Sequence, residues 1–156
     1  ERHEMTSACG VCAIHENERL CELIAWESER WILRHHAAPA PLAGWFLLDT
    51  KRHVASAADF DALEEAEFAQ VLGAAMRAIR SAVDVPRVYV ILFGEGAQHV
   101  HAHLIPRDPS QSGTAAWEIA DWYRAVDSGK RAAAPSHEVE RAVQRVREEM
   151  RMAVKI

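Results

Sequence analysis

The chain has 156 residues, 49% hydrophobic and 26% charged, with a formal net charge of -5 and an isoelectric point near 6.0. That length supports one globular domain with a sizeable core, and the acidic balance argues against a bulk nucleic-acid or anionic-membrane binder while leaving room for a local phosphate pocket. No apolar run reaches membrane-spanning length and the polar start Glu1-Arg2-His3-Glu4 lacks the apolar region of a signal peptide, so the expected compartment is the cytoplasm.

Cys9, Cys12 and Cys21 are an odd set without export signals, which argues against a disulfide framework. Cys9-Gly10-Val11-Cys12 reads as a metal knuckle or a redox pair, and Cys21 as a buried or incidental thiol. Two apolar-rich runs, residues 22–27 and 30–36, flank Ser28-Glu29 as a β-hairpin with Trp26 and Trp31 in the core. The segment from Ala37 to Gly44 carries Pro39 and Pro41 and is a loop before a third strand, residues 45–49. Asp61 and Glu64 have the spacing of a capping box, and Phe68, Leu72, Met76, Ile79 and Val83 recur at helical period, so a long amphipathic helix should run to about Val83. After Pro86 comes a fourth strand, residues 87–93, and Gly94-Glu95-Gly96 should turn it into a fifth. Beyond Arg107 the spacing predicts a loop, a short helix over 116–126 with Trp117 and Trp122, and a last helix capped by Ser136 with Val139, Val143, Val146 and Met150 along one stripe. The expected fold class is α+β: five mainly antiparallel strands, one long helix between strands three and four, and C-terminal helices.

The fifth strand, His99-Val100-His101-Ala102-His103-Leu104-Ile105, is the most informative stretch. Side chains alternate along a strand, so His99, His101 and His103 share one face. Imidazoles ligate metals and attack phosphorus, which points to phosphate chemistry, a metal site, or both, against the alternative of a histidine-rich surface strand. Two cysteines at this spacing supply half a tetrahedral shell. His53, after strand three, and His99 are the candidates to complete a structural Cys2His2 zinc site, the alternatives being reduced thiols or a redox pair. With His99 so committed, His101 is the expected nucleophile, with one ring nitrogen free to attack while the other donates to a carbonyl. His103 would hydrogen-bond a phosphoryl oxygen or act as general acid, and the stretch from Gly94 through Glu95 and Gly96 to Gln98 would offer backbone donors to phosphate.

These residues resemble the His-φ-His-φ-His-φ-φ signature of the histidine triad (HIT) superfamily, φ being an apolar residue. The C-x-x-C pair, Lys51-Arg52-His53, the helix after Asp61, the strand from Val88 to Phe93 and the tail Leu104-Ile105-Pro106-Arg107 follow in the same order, over roughly residues 9–107. The resemblance implies a HIT-like catalytic core over 1–107 with an N-terminal zinc knuckle, a helical extension over 108–156 packed on it, and zinc held by Cys9, Cys12, His53 and His99. It also implies a nucleotidyl intermediate on His101, a homodimer, and hydrolysis of dinucleoside polyphosphates or nucleoside phosphoramidates at an α-phosphate. The alternatives are a nucleotidyl transferase with an unusual substrate and a zinc-stabilised, non-catalytic nucleotide-binding or interaction module. Two departures stand out. The acidic or amide residue that holds ribose in such hydrolases is replaced by His36 or Ala37, and the Gln-Ser or Gln-Thr before the triad by Glu95-Gly96, where a carboxylate would repel phosphate. His35 or His36 is a candidate to replace the ribose contact or to bind phosphate, the alternative being that the pair covers the hairpin, and Trp117 and Trp122 are either a stacking lid over a base or helix core.

Overall fold

The structure is a computed structural model describing residues 9–153, so the polar start Glu1 to Glu4 lies outside the described residues. The chain opens with two short helices, α1 (Gly10–His15) and α2 (Leu20–Leu23), where the sequence had suggested only a knuckle. Five strands follow: β1 (Ile24–Glu27), β2 (Trp31–His35), β3 (Phe46–Thr50), β4 (Arg87–Ile91) and β5 (His101–Arg107). They form one antiparallel sheet in the order β1-β2-β3-β5-β4. The long helix α3 (Ala62–Ala82) joins β3 to β4 and begins with the expected capping box, Asp61 accepting from the backbone of Leu63 and Glu64 while Glu64 reaches back to Asp61. A short 3-10 helix, Ala57–Asp59, precedes α3, and the remaining described helices are α4 (Ala116–Ala120), α5 (Trp122–Asp127) and α6 (Ser136–Ala153); a turn at Asp121 divides the single helix expected over 116–126.

Strand alternation divides the sheet into two faces. Trp31, Leu33, Phe46, Leu48, Ala102 and Leu104 point into a core closed by Ala74, Ala75, Ala78, Ile79 and Ala82 of α3 and by Ala142, Val143, Val146 and Met150 of α6. Each large apolar side chain removed from water there contributes about 1.5–3 kcal/mol. The opposite face carries Ile32, Arg34, Leu47, Asp49, His101 and His103, as the register pairs Ile32 with Asp49, Arg34 and His103 with Leu47, and Asp49 with His101. One end of this second face is covered by Ile119 and Trp122, packed with Trp45, Leu47 and Ile105. Trp122 is therefore core, whereas Trp117 is 79% exposed.

Gly44, at the entry to β3, has φ +93, and a Cβ there would lie 3.0 Å from Val83 Cγ1 and 3.3 Å from Pro106 Cγ. Only glycine meets both demands without strain. Among the described residues no helix is long and apolar enough to cross a membrane.

Candidate functional site

The metal-ligand candidates come together. The ligand atoms of Cys9, Cys12, His53 and His99 all lie within 4.8 Å of one another. Cys12 Sγ is 3.4 Å from Nδ1 of His53 and 3.4 Å from Nδ1 of His99, and Cys9 Sγ is 3.7 Å from Nδ1 of His99. A tetrahedral ion with zinc-like bond lengths holds sulfur and nitrogen about 3.6 Å apart, so these separations fit one. Helix α1 aims both sulfurs, since Cys9 caps it and accepts from the Cys12 backbone N-H. His99 is oriented by its far nitrogen: Nε2 donates to the Thr50 carbonyl at 2.7 Å, which leaves the Nδ1 lone pair facing the cysteines. Burial, then the neighbouring Cys9, pushes the Cys12 thiol up to about 11, a cost that a bound cation would offset. His99 precedes β5 instead of lying in it. Cys21 is exposed, not buried.

The protonation pattern of the other histidines follows from partners that can only accept or only donate. Nδ1 of His101 is 2.6 Å from the His99 carbonyl, so Nδ1 carries the proton and Nε2 the lone pair. Nδ1 of His103 receives the indole N-H of Trp45 at 2.9 Å, so here Nε2 carries the proton. Nδ1 of His36 donates to the Ala37 carbonyl at 2.7 Å, leaving its Nε2 lone pair free. The rings of His101 and His103 are 5.4 Å apart between centroids, and those of His36 and His103 6.5 Å. Burial lowers His103 to about 3, with His101 and His36 adding repulsion, and lowers His36 as well.

His35 does not reach this site. It follows Arg34 on β2, so the alternation that keeps Arg34 on the histidine face turns His35 into the helix-covered core, against Phe46. Both nitrogens are engaged, Nδ1 donating to the His36 carbonyl at 3.0 Å and Nε2 accepting from Gly44 N-H at 2.9 Å. With no polar atom free, His35 offers nothing to a ligand here, and of the two neighbours only His36 lies beside His103. Burial lowers His35 from 6.5 to about 4. Between those values the unfolded chain binds a proton that the folded one refuses, so stability falls as pH drops from 6.5 to about 4, by roughly 3 kcal/mol for this residue. Urea midpoints across that window should decline in the wild type and decline less in His35→Gln. Parallel curves would contradict the assignment.

Glu95, Gly96 and Gln98 are exposed in the loop between β4 and β5. The expected tight turn is absent, because β4 ends at Ile91, β5 begins at His101, and neither Gly94 nor Gly96 adopts positive φ. Among the described residues, no hydrogen bond joins Glu95 or Gln98 to the histidines.

Beneath the site lies a network that the sequence reading did not single out. Arg34 and Asp49 are buried, with Nε of Arg34 2.6 Å from Oδ2 of Asp49, and His15 of α1 donates to the same oxygen at 2.8 Å. Burial alone would raise the Asp49 carboxyl, but Arg34 and His15 hold it below its ordinary value. The available signal was parity, since Arg34 and Asp49 interrupt apolar strands at positions that share a face with His101. Beside His36 opens a cavity of about 750 Å³ lined by small and apolar residues such as Ala38, Pro39, Leu20 and Val139 and by the polar Asn17, Arg19, Glu22, Ser136 and Glu140.

No protein-family model matches the sequence, and no curated protein matches it. Solved structures do. A zinc-bound histidine triad family protein from Mycobacterium smegmatis is 16% identical, with 94% of this chain and 96% of that one covered at a TM-score of 0.67. A histidine triad protein from Bradyrhizobium japonicum is 21% identical over 86% of this chain and 96% of its own, with a TM-score of 0.61. A uridylyltransferase is 14% identical with a TM-score of 0.69, and 96% of this chain spans 47% of that one. With its sheet order, its long crossing helix and the paired cysteines and histidines arranged as above, the chain has the histidine triad fold.

Proposed function

We propose that the protein is a nucleotide hydrolase cleaving at an α-phosphate through a covalent intermediate on His101. The observation that carries this reading is the hydrogen bond from His101 Nδ1 to the His99 carbonyl, which leaves a lone pair on Nε2 beside the proton-bearing Nε2 of His103. A nucleophile and a hydrogen-bond donor, with ring centroids 5.4 Å apart, suit attack on phosphorus and stabilisation of charge on a nonbridging oxygen. His36 would accept from a substrate hydroxyl. The adjoining cavity of about 750 Å³ has the size of a small-ligand pocket and would take the nucleoside. Glu95, Gly96 and Gln98 belong to this reading as the loop that meets the leaving group. Residues 1–107 would form the catalytic core and 108–156 an extension that braces it, Trp122 on the site face and Val146 behind the sheet.

Cys9, Cys12, His53 and His99 would hold zinc in a structural role, their four side chains filling its shell and tying α1 to the sheet. That one similar structure is of a zinc-bound protein supports the choice of ion. Metal analysis should find about one zinc per chain, lost with several kcal/mol of stability in Cys9→Ser. Full stability without metal would contradict the role. The edge strand β4 exposes Val90, with Leu92 and Phe93 just beyond it, an apolar edge unpaired among the described residues and suited to a second copy of the chain. Light scattering should report a homodimer, and a monomer at micromolar concentration would contradict that part.

The test of the activity is a panel of dinucleoside polyphosphates and nucleoside phosphoramidates incubated in heavy-oxygen water. A hydrolase releases a nucleoside monophosphate carrying the label. Unlabelled product joined to an added acceptor would instead mark a transferase, and saturable binding with no turnover a binding module.

A further inference from the structure

Trp45 is 1% exposed and its indole N-H points at Nδ1 of His103, 2.9 Å away. An indole nitrogen donates and cannot accept. If His103 took a proton on Nδ1, two donors would face each other beside Leu47, Ile105 and Trp122, which pack with Trp45, and the bond would be lost. The ring is thus held both in one tautomer and in its uncharged form, and burial, which lowers its pKa to about 3, acts in the same direction. A neutral imidazole N-H donates hydrogen bonds but does not give up a proton. The other two rings facing the site have none to give either: His101 and His36 each spend their N-H on a backbone carbonyl.

Resting on the hydrolase reading above, the geometry points to Trp45 as a positioning residue that makes His103 a fixed neutral donor and so restricts the site to leaving groups that depart as weakly basic oxyanions. Phosphoanhydrides meet that condition. The His101 Nε2 lone pair forms the N-P bond while the P-O bond to the leaving phosphate breaks, its electron pair remaining on the departing oxygen as an anion. No proton is needed. Water then attacks phosphorus, the N-P electron pair returns to Nε2, and the proton of the water leaves to solvent with the monophosphate. A phosphoramidate differs because its amine must be protonated to leave, and no histidine of the site supplies that proton.

Long-range proton-nitrogen NMR of the histidine-labelled protein at neutral pH reads the tautomer directly, with no need for turnover. His103 should show a protonated Nε2 and a bare Nδ1, and Trp45→Phe should convert it to a mixture of forms. In kinetics the wild type should favour diadenosine tetraphosphate over adenosine phosphoramidate in kcat/KM. Trp45→Phe should narrow that preference about tenfold, mainly through kcat, with phosphoramidate turnover now rising as pH falls. A protonated Nδ1 in the wild type, or a wild-type preference for the phosphoramidate, overturns the inference, and both measurements stand even if Trp45→Phe fails to fold. An adduct on His101 accompanied by faster phosphoramidate cleavage would overturn this inference while leaving the hydrolase reading intact. Turnover of neither compound would remove the hydrolase reading and the leaving-group preference, and the NMR spectrum would still decide whether Trp45 sets the tautomer.

Discussion

His101→Ala is expected to lower turnover of any nucleotide substrate by about a thousandfold or more while leaving zinc content and thermal midpoint near the wild type. The expectation of a large catalytic and small structural effect comes from the ring's surroundings. His101 is half-buried, and its one hydrogen bond among the described residues runs to the carbonyl of His99, a local contact that ties no distant elements together. Its neighbours on the chain, Val100 and Ala102, are the buried ones that hold β5 in place. Steady-state rates within tenfold of wild type would remove His101 from the reaction. Loss of folding in the variant would instead mean that the ring carries packing energy which its exposure does not suggest.

Asp49→Leu should cost about 3–5 kcal/mol, because it leaves the buried guanidinium of Arg34 with no counter-charge in the centre of the sheet. Both groups are sealed from solvent, at 2% exposure for Arg34 and 0% for Asp49. His15 would lose its acceptor as well, and with it the contact that docks the end of α1 against the histidine-bearing face. Removing both charges in Arg34→Leu with Asp49→Leu should be markedly less damaging than Asp49→Leu alone, since no uncompensated charge then remains. Denaturant unfolding of the single and double variants checks this. Equal losses would mean that the network contributes shape, not charge balance.

The architecture was largely legible because its signals are local and strong. The Asp61/Glu64 capping box marks the start of α3, the spacing from Phe68 to Val83 marks the side packed on the core, where Ile79 and neighbouring alanines are the buried residues, and the alternation of β5 puts His101 and His103 on one side. The clustering of Cys9, Cys12, His53 and His99 was legible because thiols two residues apart have few other uses. What the sequence hid depends on pairing across strands. Nothing local says that Asp49 meets Arg34, 15 positions earlier, or that Trp45 meets His103, 58 positions later. His35 and His36 read as equivalent neighbours, yet a strand separates adjacent residues onto opposite faces, so one is core and the other lines the cavity. The connection through Gly94-Glu95-Gly96 is longer than a hairpin turn for a related reason: glycines favour turns in general, and only the strand ends, Ile91 and His101, show its length.

The most direct test of His101 as nucleophile is mass spectrometry of the intact protein, acid-free quenched during turnover of diadenosine tetraphosphate, followed by peptide mapping. A mass increase of one adenylyl group on the peptide bearing His101, absent from His101→Ala, is the expected result. Full turnover with no adduct at any sampled time, or an adduct mapped to His36 or His103, would contradict the assignment.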